Sequence, residues 1–252
     1  MTPDRWAELR QVGFAALDHA AAVRTATELL ALGPGFGDPL LAAVDLADFT
    51  APVGPDTYVE VLAPVTPDHS VARWLGRVGG ASGWVLSVQV PSLDGVKERA
   101  AEHGVRVAVE TQAMGRDIIQ LHPLDVGVLL ELDAFLPRDA WFWDDLPAAR
   151  AAHAARTAKA DDIVAVDVAV DPEAGPRDPV TMAATWAAIV GIEPPVTTAD
   201  GAALALGRRA IRFVSAARGG RTGIVAVDVH ATDREHGTGR HGELCNTRIR
   251  FV

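Results

Sequence analysis

The chain has 252 residues, of which 49% are hydrophobic and 22% are charged, a composition typical of a soluble globular protein with a sizeable core. Its formal net charge of -10, without any cluster of Lys and Arg, argues against a nucleic-acid-binding protein. The single cysteine, Cys245, excludes an intrachain disulfide and a cysteine metal cluster.

The N-terminal stretch MTPDRWAELR is polar and lacks the cationic and apolar pattern of a signal peptide. No apolar run approaches the ~20 residues that a helix needs to cross a bilayer. These features predict a cytoplasmic protein that does not associate with membranes.

The first part of the chain alternates strand-like and helical patterns. Residues 10–18 (RQVGFAALD) predict a strand, and the alanine-rich residues 20–33 predict a helix because apolar side chains recur at helical spacing. Residues 40–54 and 56–65 predict two further strands that are separated by a Gly-Pro turn, and residues 70–80 predict a short helix ending in glycines.

The same order of elements then recurs. It comprises strand 83–91, helix 92–104 with Ser92 as N-cap and Gly104 as C-cap, and strands 105–111, 116–123 and 127–133. The sequence therefore predicts a βαβββ arrangement that occurs twice, with Glu60 and Glu131 in equivalent last strands.

The remainder of the chain predicts a shorter copy of this arrangement. IVAVDVAVD (163–171) begins a third βαβββ set, and IVAVDVHATD (224–233), which nearly copies that segment, begins a fourth set that is cut short. We therefore predict three segments: a complete domain over 1–136, a linker with a helix over 137–160, and a truncated domain over 161–252.

Glu131 is the most informative residue of the complete domain, because it interrupts the apolar strand GVLLELD (127–133). A buried ionised carboxylate needs compensation. Side chains alternate along a strand, so Glu60 and Glu131 are both expected on inward faces. They would repel unless a metal, a shared proton or a cationic ligand lies between them, which predicts a cavity.

Four segments carry a resemblance to a known family: TYVEVLAPV (57–65), VARWLGRVGG (71–80), the helix from Ser92 to Gly104, and LHPLDVGVLLELD (121–133). They resemble the vicinal oxygen chelate (VOC) superfamily, which includes glyoxalase I, methylmalonyl-CoA epimerase, extradiol dioxygenases and bleomycin-resistance proteins, and they look most like the epimerase branch. The resemblance is close over residues 10–133 and looser over 160–252. It implies an α+β fold, in which paired βαβββ sets form an open barrel, followed by a second, truncated βαβββ-containing domain.

The resemblance also implies four positions that point at a divalent metal. They correspond to Gln11, Glu60, Val85 and Glu131 in this sequence. Val85 has no ligand atom, so the use of a metal stays open. Three oxygen ligands without imidazole suit Mg or Mn better than Zn, and Ni and Co also occur as candidates.

Other residues are candidates for contacts with a substrate. His122 either orients or protonates a substrate carbonyl or bonds the adjacent turn. Arg116 and Gln120 are expected near the mouth of the cup, with Arg116 as an anchor for a carboxylate or phosphate, and Trp84 and Val85 are expected to line it. The histidines of the truncated copy, His230, His236 and His241, are interpreted as loop residues.

The sequence is consistent with two functions. The first is an isomerase or lyase acting on a small molecule, in which Glu60 or Glu131 removes a proton beside a carbonyl and the other residue serves as acid or metal ligand. The alternative is a non-catalytic protein that binds a drug or metabolite in the same cup, as bleomycin-resistance proteins do. The terminal strand RIRFV could also pair with another chain, which would give a homodimer.

Overall fold

The computed structural model describes residues 5–155, 159–173, 177–232 and 239–252. The strands of one seven-stranded sheet are β1 (Glu8–Ala16), β2 (Leu46–Pro52), β3 (Tyr58–Pro64), β4 (Ala81–Val90), β5 (Val107–Ala113), β6 (Arg116–Leu121) and β7 (Leu129–Ala134), in the order β2-β3-β1-β4-β7-β6-β5. Those of a second are β8 (Ala160–Val170), β9 (Val196–Thr198), β10 (Gly201–Leu206), β11 (Arg209–Ser215), β12 (Gly223–Ala231), β13 (His241–Leu244) and β14 (Thr247–Phe251), in the order β13-β14-β12-β8-β11-β10-β9.

Seven short α-helices and one 3-10 helix connect the strands in the described residues. They are α1 (His19–Leu30), α2 (Pro39–Ala42), α3 (Ser70–Arg77), α4 (Val96–Glu102), α5 (Pro123–Val126), α6 (Pro147–Ala154), α7 (Pro179–Val190) and the 3-10 helix Phe142–Asp145. None of these helices is long and apolar enough to cross a membrane.

The strands form four repeats with one topology, which confirms the predicted α+β class and the paired βαβββ sets. Repeat 2 (β4 to β7) and repeat 3 (β8 to β11) are complete, and in both the first strand pairs in parallel with the last. Repeat 1 (β1 to β3) has only an isolated bridge, from Phe36 to Thr50, in place of its second strand. Repeat 4 (β12 to β14) lacks a helix in its described part, in agreement with the predicted truncation.

Contacts divide the chain into two compact units that interleave along the sequence. Unit 1 consists of Met1–Arg10, Val85–Trp141 and Val164–Val225, and unit 2 of Gln11–Trp84, Phe142–Ile163 and Ala226–Val252. Unit 1 therefore holds most of repeats 2 and 3, and unit 2 most of repeats 1 and 4.

In unit 1 a buried tryptophan anchors α7. The Trp186 ring packs edge-on against Phe213 of β11, with the ring centroids 5.1 Å apart, and its indole N–H donates to the Val126 carbonyl at 3.0 Å. Gly127 follows with φ +84°, and a Cβ there would lie 3.2 Å from Val170 Cγ1. Both the left-handed backbone and the close approach explain why glycine ends α5.

In unit 2 the segment after β7 packs onto repeat 1. The Trp143 ring lies 5.2 Å from the Phe36 ring, and the Tyr58 hydroxyl lies 2.7 Å from His153 Nε2 on α6. The predicted helix after Pro147 is confirmed as α6 (Pro147–Ala154). The contacts of Trp143 and His153 show that this segment packs closely on repeat 1.

Several predicted boundaries are wrong for local reasons. The helix predicted from Ser92 begins only at Val96, because Ser92 Oγ instead accepts the Asp94 N–H and Gly95 is the N-cap residue. Within 40–54 the chain first forms α2, whose N–H of Leu40 is capped by Asp38. The short strands β9 and β13 were missed because each has at most four residues, at least half of them exposed.

The strand RIRFV does not present a free edge. β14 pairs in parallel with β12 and antiparallel with β13, so its backbone is already bonded on both sides. The prediction that this strand completes a sheet in another chain is therefore wrong, whereas the homodimer itself stays a prediction.

Candidate functional site

Glu131 faces two neutral hydrogen-bond donors from the neighbouring strands. It lies in register with Ser87 of β4 on one side and with Gln120 of β6 on the other. Ser87 Oγ donates to Oε1 at 2.9 Å, and Gln120 Nε2 donates to Oε2 at 2.7 Å. These two hydrogen bonds fix the orientation of the carboxylate. The carboxylate is also partly exposed, so solvent or a ligand can still reach it.

Asp133 lies two residues further along β7, on the same face as Glu131. It is 0% exposed, and Arg116 Nε donates to its Oδ1 at 2.6 Å. Burial raises the pKa of Asp133 well above the usual range and the Glu131 carboxylate raises it further, whereas Arg116 opposes the shift. Its second oxygen, Oδ2, has no hydrogen-bond partner among the described residues.

Gln89 extends this polar face along β4, in register with Asp133. Its side-chain amide donates to the Phe135 and Pro137 carbonyls at 2.8 and 3.0 Å, and its oxygen accepts from Arg10 Nε at 2.7 Å. Hydrogen bonds therefore fix the polar side chains of this face. Glu131 is the carboxylate of the face that is partly exposed.

Gln11 and Glu60 lie on the corresponding face of repeat 1, in unit 2, and both are buried. Gln11 Oε1 accepts from the indole N–H of Trp143 at 3.1 Å. Glu60 lies in register with Gly13 and with Thr50, whose Oγ1 is 3.5 Å from Glu60 Oε1. The segment after β7 therefore donates a hydrogen bond to Gln11, the first of the predicted metal ligands.

Asp48 is a titratable residue that the sequence analysis missed. It lies two residues before Thr50 on β2, and its Oδ2 accepts the backbone N–H of Asp38 at 2.7 Å. Burial raises the pKa of Asp48 to about 6, and the Asp38 charge adds to the shift, whereas the Asp38 N–H, His19 and Thr50 oppose it. The polar residues at alternating positions in LADFTAP (46–52) were the available signal.

The other predicted side chains have mostly structural contacts. His122 Nδ1 accepts the Leu124 N–H at 3.3 Å, as an N-cap of α5, and lies 3.2 Å from Arg106 Nη2. Arg116 is buried against Asp133, and Val85 is buried in register with Leu129. Trp84 is partly exposed, and its ring centroid lies 4.7 Å from that of Trp74.

The described residues of the C-terminal copy do not form a nucleophilic or metal site. His230 forms an exposed pair with Asp161 at 2.6 Å, His241 begins β13, and His236 lies outside the described residues. Burial raises the pKa of Cys245 to about 12, so its thiol stays protonated.

The chain does not fit a metal site with four protein ligands. Val85 supplies no ligand atom, Gln11 already accepts a hydrogen bond from Trp143, and both oxygens of Glu131 accept from neutral donors. No group of three or more His, Cys, Asp or Glu side chains in the described part of the chain could hold a metal ion.

The position equivalent to the two glutamates carries the opposite charge in repeats 3 and 4. Asp167 and Arg212 share a register position, as do Asp228 and Arg250, and each pair forms an ion pair, at 2.6 and 2.5 Å respectively. The repeated IRFV motif (211–214 and 249–252) is a signal that could have revealed this. Only repeats 1 and 2 therefore place a glutamate at this position of the last strand.

No model of a known protein family matches the sequence, and a comparison with curated proteins finds no match. Solved structures do match. A hypothetical protein from Staphylococcus aureus has a TM-score of 0.65 at 9% identity, over 98% of this chain and 99% of that chain. A mutant of 4-hydroxymandelate synthase from Streptomyces coelicolor has a TM-score of 0.64 at 16% identity, over 91% and 72%.

A Mn(II)-bound glyoxalase from Novosphingobium aromaticivorans has a TM-score of 0.55 at 16% identity, over 91% of this chain and 67% of that chain. The synthase and the glyoxalase are VOC superfamily members. The resemblance drawn from the sequence is thus confirmed at the level of the fold: the chain has the paired βαβββ fold of the VOC superfamily.

Proposed function

We propose that this protein is an enzyme of the isomerase or lyase kind that acts on a small molecule, with Glu131 as general base beside a substrate carbonyl. The observation that carries the proposal is the environment of Glu131, a partly exposed carboxylate whose two oxygens are oriented by Ser87 and Gln120. A base fixed in this way on a rigid strand is what proton abstraction requires. The similar structures include enzymes with the VOC fold, which supports the general proposal that this protein is an enzyme.

The reaction follows from the chemistry of a carboxylate. Glu131 takes a proton from the carbon beside the carbonyl, the electron pair of the C–H bond forms a C=C bond, and the π pair of the carbonyl moves to its oxygen to give an enolate. If the proton returns to the other face of that carbon, the reaction is an isomerisation. If a leaving group is lost from the next carbon, the reaction is an elimination, as a lyase catalyses. Ser87 and Gln120 keep the carboxylate aligned throughout.

The roles of the remaining candidates follow from their contacts. Arg116 holds Asp133 and is not placed as a substrate anchor, and His122 caps α5. Glu60 is a second carboxylate, but it is only 4% exposed and is therefore the less accessible base. No step of the proposal depends on a divalent metal.

The alternative is a non-catalytic protein that binds a small molecule. It is supported by the aromatic pair of Trp74 and Trp84 in unit 2, which are partly exposed and offer an apolar surface to a planar ligand. In this case Glu131 is a polar residue of the binding surface rather than a base.

Exchange of substrate hydrogen with solvent deuterium distinguishes the two functions. Acyl thioesters, small keto acids and glutathione adducts are incubated with the protein in D₂O and followed by NMR. The enzyme exchanges the hydrogen beside the carbonyl of at least one of these classes, and Glu131→Gln abolishes the exchange. Binding without exchange, detected by line broadening of the compound, supports the alternative.

A further inference from the structure

His122 lies between β6 and α5 and uses one of its two ring nitrogens, Nδ1, to cap α5. We propose that His122 is a further catalytic residue, whose Nε2–H donates a hydrogen bond to the carbonyl oxygen of the substrate while Glu131 removes the neighbouring proton. This inference rests on the proposed function, but the ring tautomer that it requires is measurable without any substrate.

Two donors fix the tautomer of the His122 ring. Its Nδ1 accepts the backbone N–H of Leu124 at 3.3 Å and lies 3.2 Å from Arg106 Nη2. A guanidinium nitrogen can only donate, so both contacts require the lone pair of Nδ1. A neutral imidazole carries its one proton on the other nitrogen, and these contacts therefore assign the Nε2–H tautomer.

Arg106 is itself held in place by Asp125 of α5. Its Nε and Nη2 donate to the two carboxylate oxygens of Asp125, both at 2.8 Å, and its backbone N–H donates to Asp125 Oδ2 at 2.9 Å. The hydrogen bonds from Arg106 lower the pKa of Asp125 to about 2, so the carboxylate is ionised at neutral pH. The His122 ring is thus oriented before any substrate binds.

His122 continues the sheet face that carries Glu131. The chain is still extended at His122, with φ −67° and ψ 125°, and its N–H donates to the Arg106 carbonyl at 2.9 Å. His122 therefore lies on the same face as Gln120, two residues earlier, whose amide donates to Glu131. Gln120 is opposite Glu131 in the antiparallel pair of β6 and β7, so the same register places His122 opposite Leu129.

The separation of His122 and Glu131 suits a single carbonyl group. Diagonal neighbours on two antiparallel strands are about 7–8 Å apart, a gap that long side chains can span. A substrate that lies between them can direct its carbonyl oxygen at the imidazole and the hydrogen of the next carbon at the carboxylate. The ring is half-buried, and Nε2 has no hydrogen-bond partner among the described residues, so it is available to such a substrate.

A neutral donor at this position assists the proton abstraction. As Glu131 takes the proton, the C–H electron pair forms the C=C bond and the π pair moves to the oxygen, where negative charge collects. The hydrogen bond from Nε2–H strengthens as this charge develops, and its proton stays on the imidazole. When the proton returns to carbon the electron pairs move back, so the His122 ring is unchanged and no co-reactant is needed.

Two substitutions separate the donor role of His122 from its capping role. His122→Asn keeps a side-chain oxygen near the position of Nδ1, so it retains the cap and loses the Nε2 donor. His122→Gln instead keeps an N–H near the position of Nε2 and weakens the cap. We expect His122→Asn to lower the rate of solvent hydrogen exchange about 10²- to 10³-fold at nearly the wild-type melting temperature. His122→Gln should exchange faster than His122→Asn although it melts at a lower temperature.

His103→Asn is the matched control, because His103 is an exposed histidine at the end of α4 and should exchange as the wild type does. Wild-type exchange in His122→Asn together with a loss in His122→Gln overturns the proposal and leaves His122 as a cap alone. The proposed function survives that outcome. No exchange of any compound by the wild-type protein refutes the proposed function and the donor role together.

The ¹⁵N shifts of the ring nitrogens in histidine-labelled protein give the readout that needs no substrate. We expect a protonated Nε2 and an unprotonated Nδ1 for the ring whose signals disappear in His122→Asn. A proton on Nδ1 of this ring overturns the proposal, because the nitrogen available to the substrate would then be an acceptor.

Discussion

Ser87 and Glu131 share one register position between β4 and β7, and the Ser87 hydroxyl lies 2.9 Å from Glu131 Oε1. The equivalent position is Gly13 and Glu60 in repeat 1, Asp167 and Arg212 in repeat 3, and Asp228 and Arg250 in repeat 4. Repeat 2 alone among the four joins a glutamate to a neutral donor on the first strand. This is why the proposed base is placed there.

Ser87→Ala tests the orientation of the base. The loss of one neutral hydrogen bond to Glu131 is expected to lower the rate of hydrogen exchange about 5- to 10-fold. The rate is measured by NMR in D₂O. Ser82→Ala is the control, because Ser82 is equally buried on the same strand but lies outside the Glu131 contacts. An equal loss in both variants would show that the effect is one of folding.

Asp48→Asn tests the raised pKa of Asp48. The folded protein holds a proton on this residue up to about pH 6, whereas the unfolded chain releases it near the usual aspartate pKa of 3.8. Its contribution to stability is therefore fully present below pH 3.8 and is lost as the pH rises through about 6.

The measurement is the free energy of unfolding by denaturant at several pH values across this window. We expect the decline of wild-type stability between these limits to be smaller in Asp48→Asn. Asn can still accept the backbone hydrogen bond from Asp38, so the comparison isolates the charge. Parallel curves for wild type and variant would contradict the prediction.

Trp143→Phe tests the packing of the segment after β7 on repeat 1. The substitution removes the indole N–H and leaves the buried oxygen of Gln11 without this donor, which costs about 1–3 kcal/mol of unfolding free energy, with a further loss from the smaller ring. Trp74→Phe is the control, since Trp74 is only partly buried and should cost less. An equal cost for the two variants would show that the Gln11 contact adds nothing.

Gly127→Ala tests the turn before β7, and Gly115→Ala, in the turn between β5 and β6, is its matched control. Both glycines have positive φ, at +84° and +76°, which costs an alanine about 1–2 kcal/mol. Only Gly127 would also bring its Cβ within 3.2 Å of Val170, whereas nothing lies within 4 Å at Gly115. We expect the larger loss of unfolding free energy at Gly127; the reverse order would contradict the packing described for unit 1.

The architecture was predictable because it rests on periodic patterns. Alternating apolar residues and the duplicated VAVDV segments indicated four related repeats, and Glu60 and Glu131 indicated equivalent strands. The partners of these residues were not predictable, because they depend on register between distant strands. Gln120 and Ser87 meet at Glu131, and Trp143 reaches Gln11 from 132 positions away, with no local signal.

The buried acid Asp133 shows the same limit. The sequence places it after a strand of apolar residues, where it reads as the end of that strand. Its burial and its contact with Arg116 follow only from the antiparallel pairing of β6 with β7.

The rate of solvent hydrogen exchange in a metal-stripped Glu131→Gln variant tests the central claim most directly. We predict that stripped wild-type protein still exchanges the hydrogen beside the substrate carbonyl and that the variant loses about 10²- to 10⁴-fold in rate. Glu110→Gln, an exposed residue of β5 paired with Lys97, should exchange as the wild type does. A Glu131→Gln variant that exchanges at the wild-type rate would contradict the assignment of Glu131 as the base.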